Sequence, residues 1–364
     1  MRFRLDDEHR ELAKSVRAFF GDIADGVSVR RDMETKRGWN EDSWQRMCTE
    51  LELVSLGVPE RYGGTGFGLV EMGVVLGEAG RALVCAPLLS TTLAAQVLCQ
   101  GVDELAASEF LPSISSGVRR ATIAFTDPTA ATPTRAVESS QSWVLTGTKE
   151  WVLDGHTADL LVVSAESAGG VSLFLVHADA PGLIARPQVV IDPTRKVATV
   201  SFAETPARLL GTEGDAGATL RASRDIATVL LAAEQVGLAR ACLNLATEYA
   251  CQREQFGRPI GSFQAIKHAL ATVLMEVEVA EAAALYAAFA ADHQLPECSE
   301  SACVAAVTCS GAAMLAASTS IQVHGGIAMT WEHPAHLYLK RATTNSKLFG
   351  DTQYQLDRLA MTAM

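Results

Sequence analysis

Between two long Ala-rich helical patterns the chain reads Arg253-Glu254-Gln255-Phe256-Gly257-Arg258-Pro259-Ile260-Gly261-Ser262-Phe263-Gln264-Ala265, a basic turn punctuated by Gly and Pro. The forked guanidinium of Arg253 suits a phosphate, so the chemistry offered here is the gripping of an anionic cofactor. A second block, Gln322-Val323-His324-Gly325-Gly326-Ile327, runs a helix into two glycines, where backbone can approach a ligand closely. Taken alone, Arg253 reads better as a solvated helix-end charge and Gly325-Gly326 as a plain helix stop. Two carboxylates could move protons. Glu234 lies in the apolar run Ala232-Ala233-Glu234-Gln235, where a carboxylate is costly unless paired or functional. Its bland reading is a salt bridge to Arg240 or Arg341. That of Asp351 is an N-cap for the final helix.

Stepping from these residues to the whole chain, 364 residues suffice for two or three packed layers around a large core. A net charge of -12 argues against nucleic-acid binding, because phosphate affinity comes mainly from Lys and Arg. No apolar run reaches transmembrane length, and the charged, helix-patterned amino terminus is no signal peptide, so a cytoplasmic protein without membrane insertion is expected. The eight cysteines form no CxxC pair and no common zinc spacing. They read as small buried apolar residues in a reducing compartment, and no metal is expected.

The elements change type twice. From Leu5 to about Gln100 apolar positions recur at helical spacing, with Leu12, Val16, Phe19 and Ile23 on one face and a second pattern around Trp44, Met47 and Leu51. Gly63-Gly64-Thr65-Gly66-Phe67-Gly68 reads as a flexible helix connection before a helix starting near Val70. Between Ala121 and about Arg208 the runs 142–147, 160–164, 171–176 and 198–202 read as strands with no helix between them, which favours an antiparallel barrel or sandwich. From Gly217 the helical pattern returns over 219–250, 264–293 and 300–323, with Ala-rich faces suited to a four-helix bundle. The expected fold class is α+β, with an N-terminal helical domain (1–118), a middle antiparallel β domain (119–212) and a C-terminal four-helix bundle (213–364).

This order, with the Arg253 and Gln322 blocks, resembles the acyl-CoA dehydrogenase family across nearly the whole chain. The resemblance implies FAD as cofactor and α,β-desaturation of an acyl-CoA thioester. Arg253 would reach the FAD pyrophosphate of a neighbouring subunit, beside Gln255 and Phe256. Gln322, Gly325 and Gly326 would approach the adenosine half across the same interface, with His324 where a leucine is common. Trp151 would pack against the flavin ring. Phe125-Thr126-Asp127-Pro128 stands where the family has an aromatic-x-Thr-Glu-Pro run, and Phe125 and Thr126 are its cofactor-facing residues. The Gly and Ser that follow in the family are replaced by Thr129-Ala130-Ala131. After Trp151 the family's Ser or Thr, which meets flavin N5, is lost from Leu153-Asp154-Gly155, and an acidic Asp154 near the flavin edge would be unhelpful. Thr352 keeps the place of a flavin-contacting threonine.

The family's chemistry also needs a base for the α-proton. The commoner position, a Glu in Tyr-Glu-Gly-Thr, corresponds here to Gly350 in Phe349-Gly350-Asp351-Thr352. The alternative, on the first bundle helix, corresponds to Ala227, followed by Thr228. Both are vacant, leaving Glu234 and Asp351 as weak substitutes. Three readings follow: an active acyl-CoA dehydrogenase using one of those substitutes, a non-catalytic partner that completes the FAD site of a catalytic homologue, and a relative running oxygen chemistry on the flavin. The first two imply a homo- or hetero-tetramer with another subunit of the family, and an electron-transfer flavoprotein as acceptor.

Overall fold

The computed structural model describes residues 5–139 and 142–362; Met1 to Arg4 of the charged amino terminus lie outside them. Six helices come first: α1 (Asp7–Ile23), α2 (Gly26–Glu34), α3 (Glu41–Thr49), α4 (Leu69–Arg81), α5 (Leu88–Cys99) and α6 (Glu104–Ser115). Their starts follow side-chain caps. Asp6 accepts from the His9 amide, Asn40 from that of Ser43 and Asp103 from that of Ala106, each satisfying a donor the first turn leaves open. The face foreseen on α1 is buried at Val16, Phe19 and Ile23, with Phe20 added; Leu12 is only partly covered.

Seven strands follow: β1 (Ala121–Ala124), β2 (Arg135–Ser139), β3 (Ser142–Leu153), β4 (Leu160–Ser167), β5 (Gly170–His177), β6 (Leu183–Pro187) and β7 (Val197–Leu210). They form one sheet around the long antiparallel pair of β3 and β7, and its core contains Leu145, Val152, Leu161, Phe174, Val200 and Phe202. One detail departs from the antiparallel expectation. β1 runs parallel to β4, with Ala121 opposite Leu160, and β2 meets β4 in parallel at Arg135 and Glu166. No helix is needed for the crossover, because β2 and β3 themselves carry the chain back before β4 enters.

The rest is helical: α7 (Gly217–Gln252), a hairpin of β8 (Glu254–Gln255) and β9 (Arg258–Pro259), then α8 (Gln264–Asp292), α9 (Cys298–His324), α10 (Ala335–Asn345) and α11 (Thr352–Thr362). α8 packs along α9, and α10 and α11 pack on α9. Small residues set the spacing: Ala280, Ala284 and Ala287 on α8 and Ala305, Ala312 and Ala316 on α9 are buried. α4 crosses α7 so closely that a Cβ on Gly237 would lie 1.7 Å from the Gly77 carbonyl oxygen. Asp292, at the end of α8, accepts from the Leu69 and Val70 amides and so caps α4.

Contacts divide the chain into two compact units. One holds α1, α4 and everything from Asp225 onward; the other holds Asp32–Gly68 and Cys85–Arg224. Three expectations are corrected. α7, and α9 with the turn after it, are long and apolar enough to span a membrane, but the apolar window of α7 is mostly buried in the protein and that of α9 half buried. Alanine explains both facts: it counts as apolar and permits close helix contact. The Gly63–Gly68 segment is not loose, since Thr65, Gly66 and Phe67 donate to the carbonyls of Ser55, Val58 and Leu56. All eight cysteines are free, but Cys251 is exposed and Cys99 and Cys298 are half-buried. Burial pushes the Cys48 and Cys99 thiols up to about 12, which keeps them unreactive.

Candidate functional site

The Arg253 block forms its turn by hydrogen bonding. The Ile260 amide donates to the Arg253 carbonyl, and Gln255 pairs with Arg258 across the hairpin. Phe256 and Gly257 both take positive φ, +56° and +72°, as a two-residue turn of the hairpin type requires. The Phe256 ring is thereby thrown outward, 92% exposed. Arg253, Gln255 and Arg258 are exposed as well, and Arg253 has no ion-pair partner among the described residues. That donor set fits a phosphate-bearing ligand arriving from outside the chain.

Near the end of α9, Gln322 is exposed while His324 is buried. The His324 ring bonds through Nδ1 to the Ser320 carbonyl at 2.7 Å and lies 4.5 Å from the Tyr249 ring and 4.3 Å from that of His333. Gly325 takes φ +67° with open space around the place a Cβ would occupy, and Gly326 is exposed beside it. This turn leaves backbone accessible, as a ligand-approaching segment must.

In the sheet unit, a register shift in β3 opposite β7, between Lys149 and Val152, turns Trp151 out at φ +57° and 52% exposed. Phe125 is half-buried and Thr126 exposed, and the Thr126 carbonyl accepts from the Glu150 amide at 2.8 Å. Leu153 is buried and offers no hydroxyl. The Asp154 carboxylate accepts from Ser90 Oγ at 2.7 Å, in the first turn of α5, where the helix dipole also favours a negative charge. Lys149, which drew no attention in the sequence, is fully buried and pairs with Asp127 at 2.7 Å. A Lys between Thr148 and Glu150 reads as solvent-facing, and only its in-facing register in β3 could have signalled otherwise.

The two positions where the resemblance expects a base lie in the helical unit. Ala227 and Thr228 are buried. Gly350 sits at φ +105°, where a Cβ would come within 2.2 Å of Tyr354 Cδ1. Beside it is a cavity of about 20 Å³ whose lining includes Thr228, Gln235, Asn345, Gly350 and Thr352, room for a single water. Neither substitute carboxylate reaches into this space. Glu234 Oε1 accepts from Arg341 Nη1 at 3.0 Å and from Asn345 Nδ2 at 3.2 Å, all three residues being buried. Arg240 instead holds Glu278 and Glu281. Asp351 caps α11 by accepting from the Tyr354 amide, and this bond with Lys347 holds its carboxyl below the usual range. Thr352 is exposed at the start of the helix. No group of three potential metal ligands occurs among the described residues.

Helices, a largely antiparallel sheet, and an Ala-rich bundle carrying an exposed basic hairpin define the acyl-CoA dehydrogenase class of oxidoreductases. The comparisons agree domain by domain: residues 6–118 match the N-terminal domain of acyl-CoA dehydrogenase, 122–202 the middle domain and 222–364 the C-terminal domain. The chain belongs to the acyl-CoA dehydrogenase family, whose reaction is the FAD-dependent desaturation of acyl-CoA at a CH–CH bond. It is 35% identical over 353 residues to the acyl-CoA dehydrogenase IpdE2 of Mycobacterium tuberculosis, covering 97% of this chain and 96% of the relative. Among solved structures, the Tcur3481-Tcur3483 steroid ACAD matches at 31% identity and TM-score 0.90, covering 98% of each chain. The ChsE4-ChsE5 complex from M. tuberculosis matches at 26% identity and TM-score 0.93, over 100% of this chain and 99% of that one.

Proposed function

We propose that this chain serves acyl-CoA dehydrogenation as the base-less subunit of a hetero-oligomer, completing the FAD site of a base-bearing homologue. One observation carries this reading. Gly350 and Ala227 stand where the resemblance puts the two base positions, and the two substitute carboxylates are committed, Glu234 to Arg341 and Asn345 and Asp351 to the start of α11. Glu234 Oε1 already accepts from two buried donors, and Glu234 is not part of the lining of the cavity beside Gly350, so it is poorly placed to take a proton there. The base comes from the homologue.

FAD fits the residues that this chain does offer. Arg253 would hold the pyrophosphate, with Gln255 and Phe256 alongside. Gln322, Gly325 and Gly326 would meet the adenosine half. On the sheet, Trp151 would cover a ring face, with Phe125 and Thr126 at its edge, and Thr352 is the candidate contact of the bundle. When bound, FAD accepts the hydride from the substrate β-carbon; an electron-transfer flavoprotein is the proposed acceptor beyond it. The groove of about 590 Å³ between α7 and α8, with Leu243, Leu270 and Leu274 on its walls, supports an oligomer, and a tetramer is the expected form. The ChsE4-ChsE5 complex and the steroid ACAD among the structural neighbours support a hetero-oligomer acting on a steroid-derived acyl-CoA. The test is Arg253→Ala in the purified assembly. FAD content falls while the helical circular dichroism stays; unchanged FAD content would refute the assignment.

A further inference from the structure

The sheet side of the flavin site raises a physical question. Phe125-Thr126 lies just after a four-residue strand and is followed by 127–134, which makes no ladder of its own. Backbone bonds hold it at its ends, from the Glu150 amide to the Thr126 carbonyl and from the Glu166 amide to the Thr134 carbonyl, and side chains add the rest. The structure supplies one buried ammonium. Lys149 Nζ donates to Asp127 Oδ1 at 2.7 Å and to Ser164 Oγ at 3.3 Å. Ser164 Oγ in turn donates to the Phe125 carbonyl at 3.3 Å. The same Asp127 oxygen accepts from the Thr134 amide at 2.9 Å and its hydroxyl at 2.8 Å. The residue after Lys149 closes the ring, the Glu150 amide donating to the Thr126 carbonyl at 2.8 Å.

Thr126 is therefore clamped on both sides by one side chain, through Phe125 and through Asp127. Lys149 also sits two residues before Trp151, at the start of the register shift that turns the indole outward. We propose that Lys149 and Asp127 are positioning residues for the flavin: an ion pair of a buried ammonium and a half-buried carboxylate that locks Phe125-Thr126 to the strand presenting Trp151, without either charge touching the cofactor. This rests on the proposed binding of FAD to this sheet. Stability is a poor reason to bury such an ammonium, since the cost of desolvating it offsets much of what its partner returns. Burial also pulls the Lys149 ammonium below the ordinary lysine value, against the pull of Asp127. Geometry is what the pair provides.

The experiment measures FAD affinity by titration of the assembled protein with Lys149→Met, Asp127→Asn and Asp127→Glu, alongside the unfolding midpoint of each. Amide hydrogen exchange of residues 125–134 is followed in the flavin-free protein. Lys149→Met and Asp127→Asn weaken FAD by roughly 10- to 100-fold, the range seen when the partners behind directly binding groups are removed. Exchange in 125–134 accelerates in both. Asp127→Glu, which keeps the ion pair, holds near wild-type affinity. Wild-type affinity in Lys149→Met and Asp127→Asn, with only the midpoint lowered, would overturn the proposal and leave the pair a structural one. A wild-type assembly in which mutation of Trp151 leaves FAD binding unchanged would instead overturn the reading on which it rests.

Discussion

Replacing Glu234 by Gln withdraws from Arg341 the carboxylate it meets deep in the bundle. Removing one partner of such a pair costs up to about 3–5 kcal/mol, so chemical unfolding of the variant shifts clearly to lower denaturant. Turnover of the assembly stays close to wild type, because Glu234 takes no proton; complete loss of turnover with an intact fold would restore it as the base. Gly350 gives the opposite test. Installing Glu there forces a Cβ into the Tyr354 ring at a φ that L residues rarely adopt. The expected result is about 1–3 kcal/mol of destabilisation and no gain in α-proton exchange of a bound acyl-CoA. The vacancy at Gly350 could be read from the sequence by resemblance. That Tyr354 closes over it could not, because nothing in the local pattern says which way the ring of an exposed helical Tyr leans.

At the scale of elements, the α4–α7 crossing depends on Gly77 and Gly237 meeting backbone to backbone. Gly237→Ala overpacks it, and thermal unfolding should report about 1–3 kcal/mol or more. The turn between α9 and α10 should respond to acid. Burial, with His324 and Arg30 nearby, depresses His333, and burial with Lys340 and Arg30 depresses His336. Groups held neutral in the fold favour it above the ordinary histidine value of about 6.5 and withdraw that support as pH falls below it. The unfolding midpoint should therefore drop between pH 7.5 and 5.5, and His333→Asn should flatten the drop. The long helices were legible because alanine and leucine recur at helical spacing over many turns. β3, β4, β5 and β7 were legible from their β-branched and aromatic runs. β1, β2 and β6 were not: four or five residues carry too few alternations, and Arg135–Ser139 has an exposed, polar pattern. The Lys149 network was hidden for a related reason, since its partners Asp127, Thr134 and Ser164 are brought together only by strand register.

For the whole molecule, the residues that project from this chain and those it lacks point the same way. Arg253, Gln255, Phe256 and Gln322 are exposed, while Gly350 and Ala227 stand where the resemblance expects a base. On the proposed reading, such a subunit gives cofactor contacts to a neighbour and borrows its base. The most direct test is the ratio of FAD to protein chain, measured by flavin absorbance and quantified denatured protein, for this chain alone and after co-expression with a base-bearing homologue. The account predicts little flavin on the lone chain and FAD in the assembly on this chain's sheet as well as on its partner's, about one per chain, with dehydrogenase activity only there. A lone chain carrying one FAD each and desaturating an acyl-CoA would contradict it.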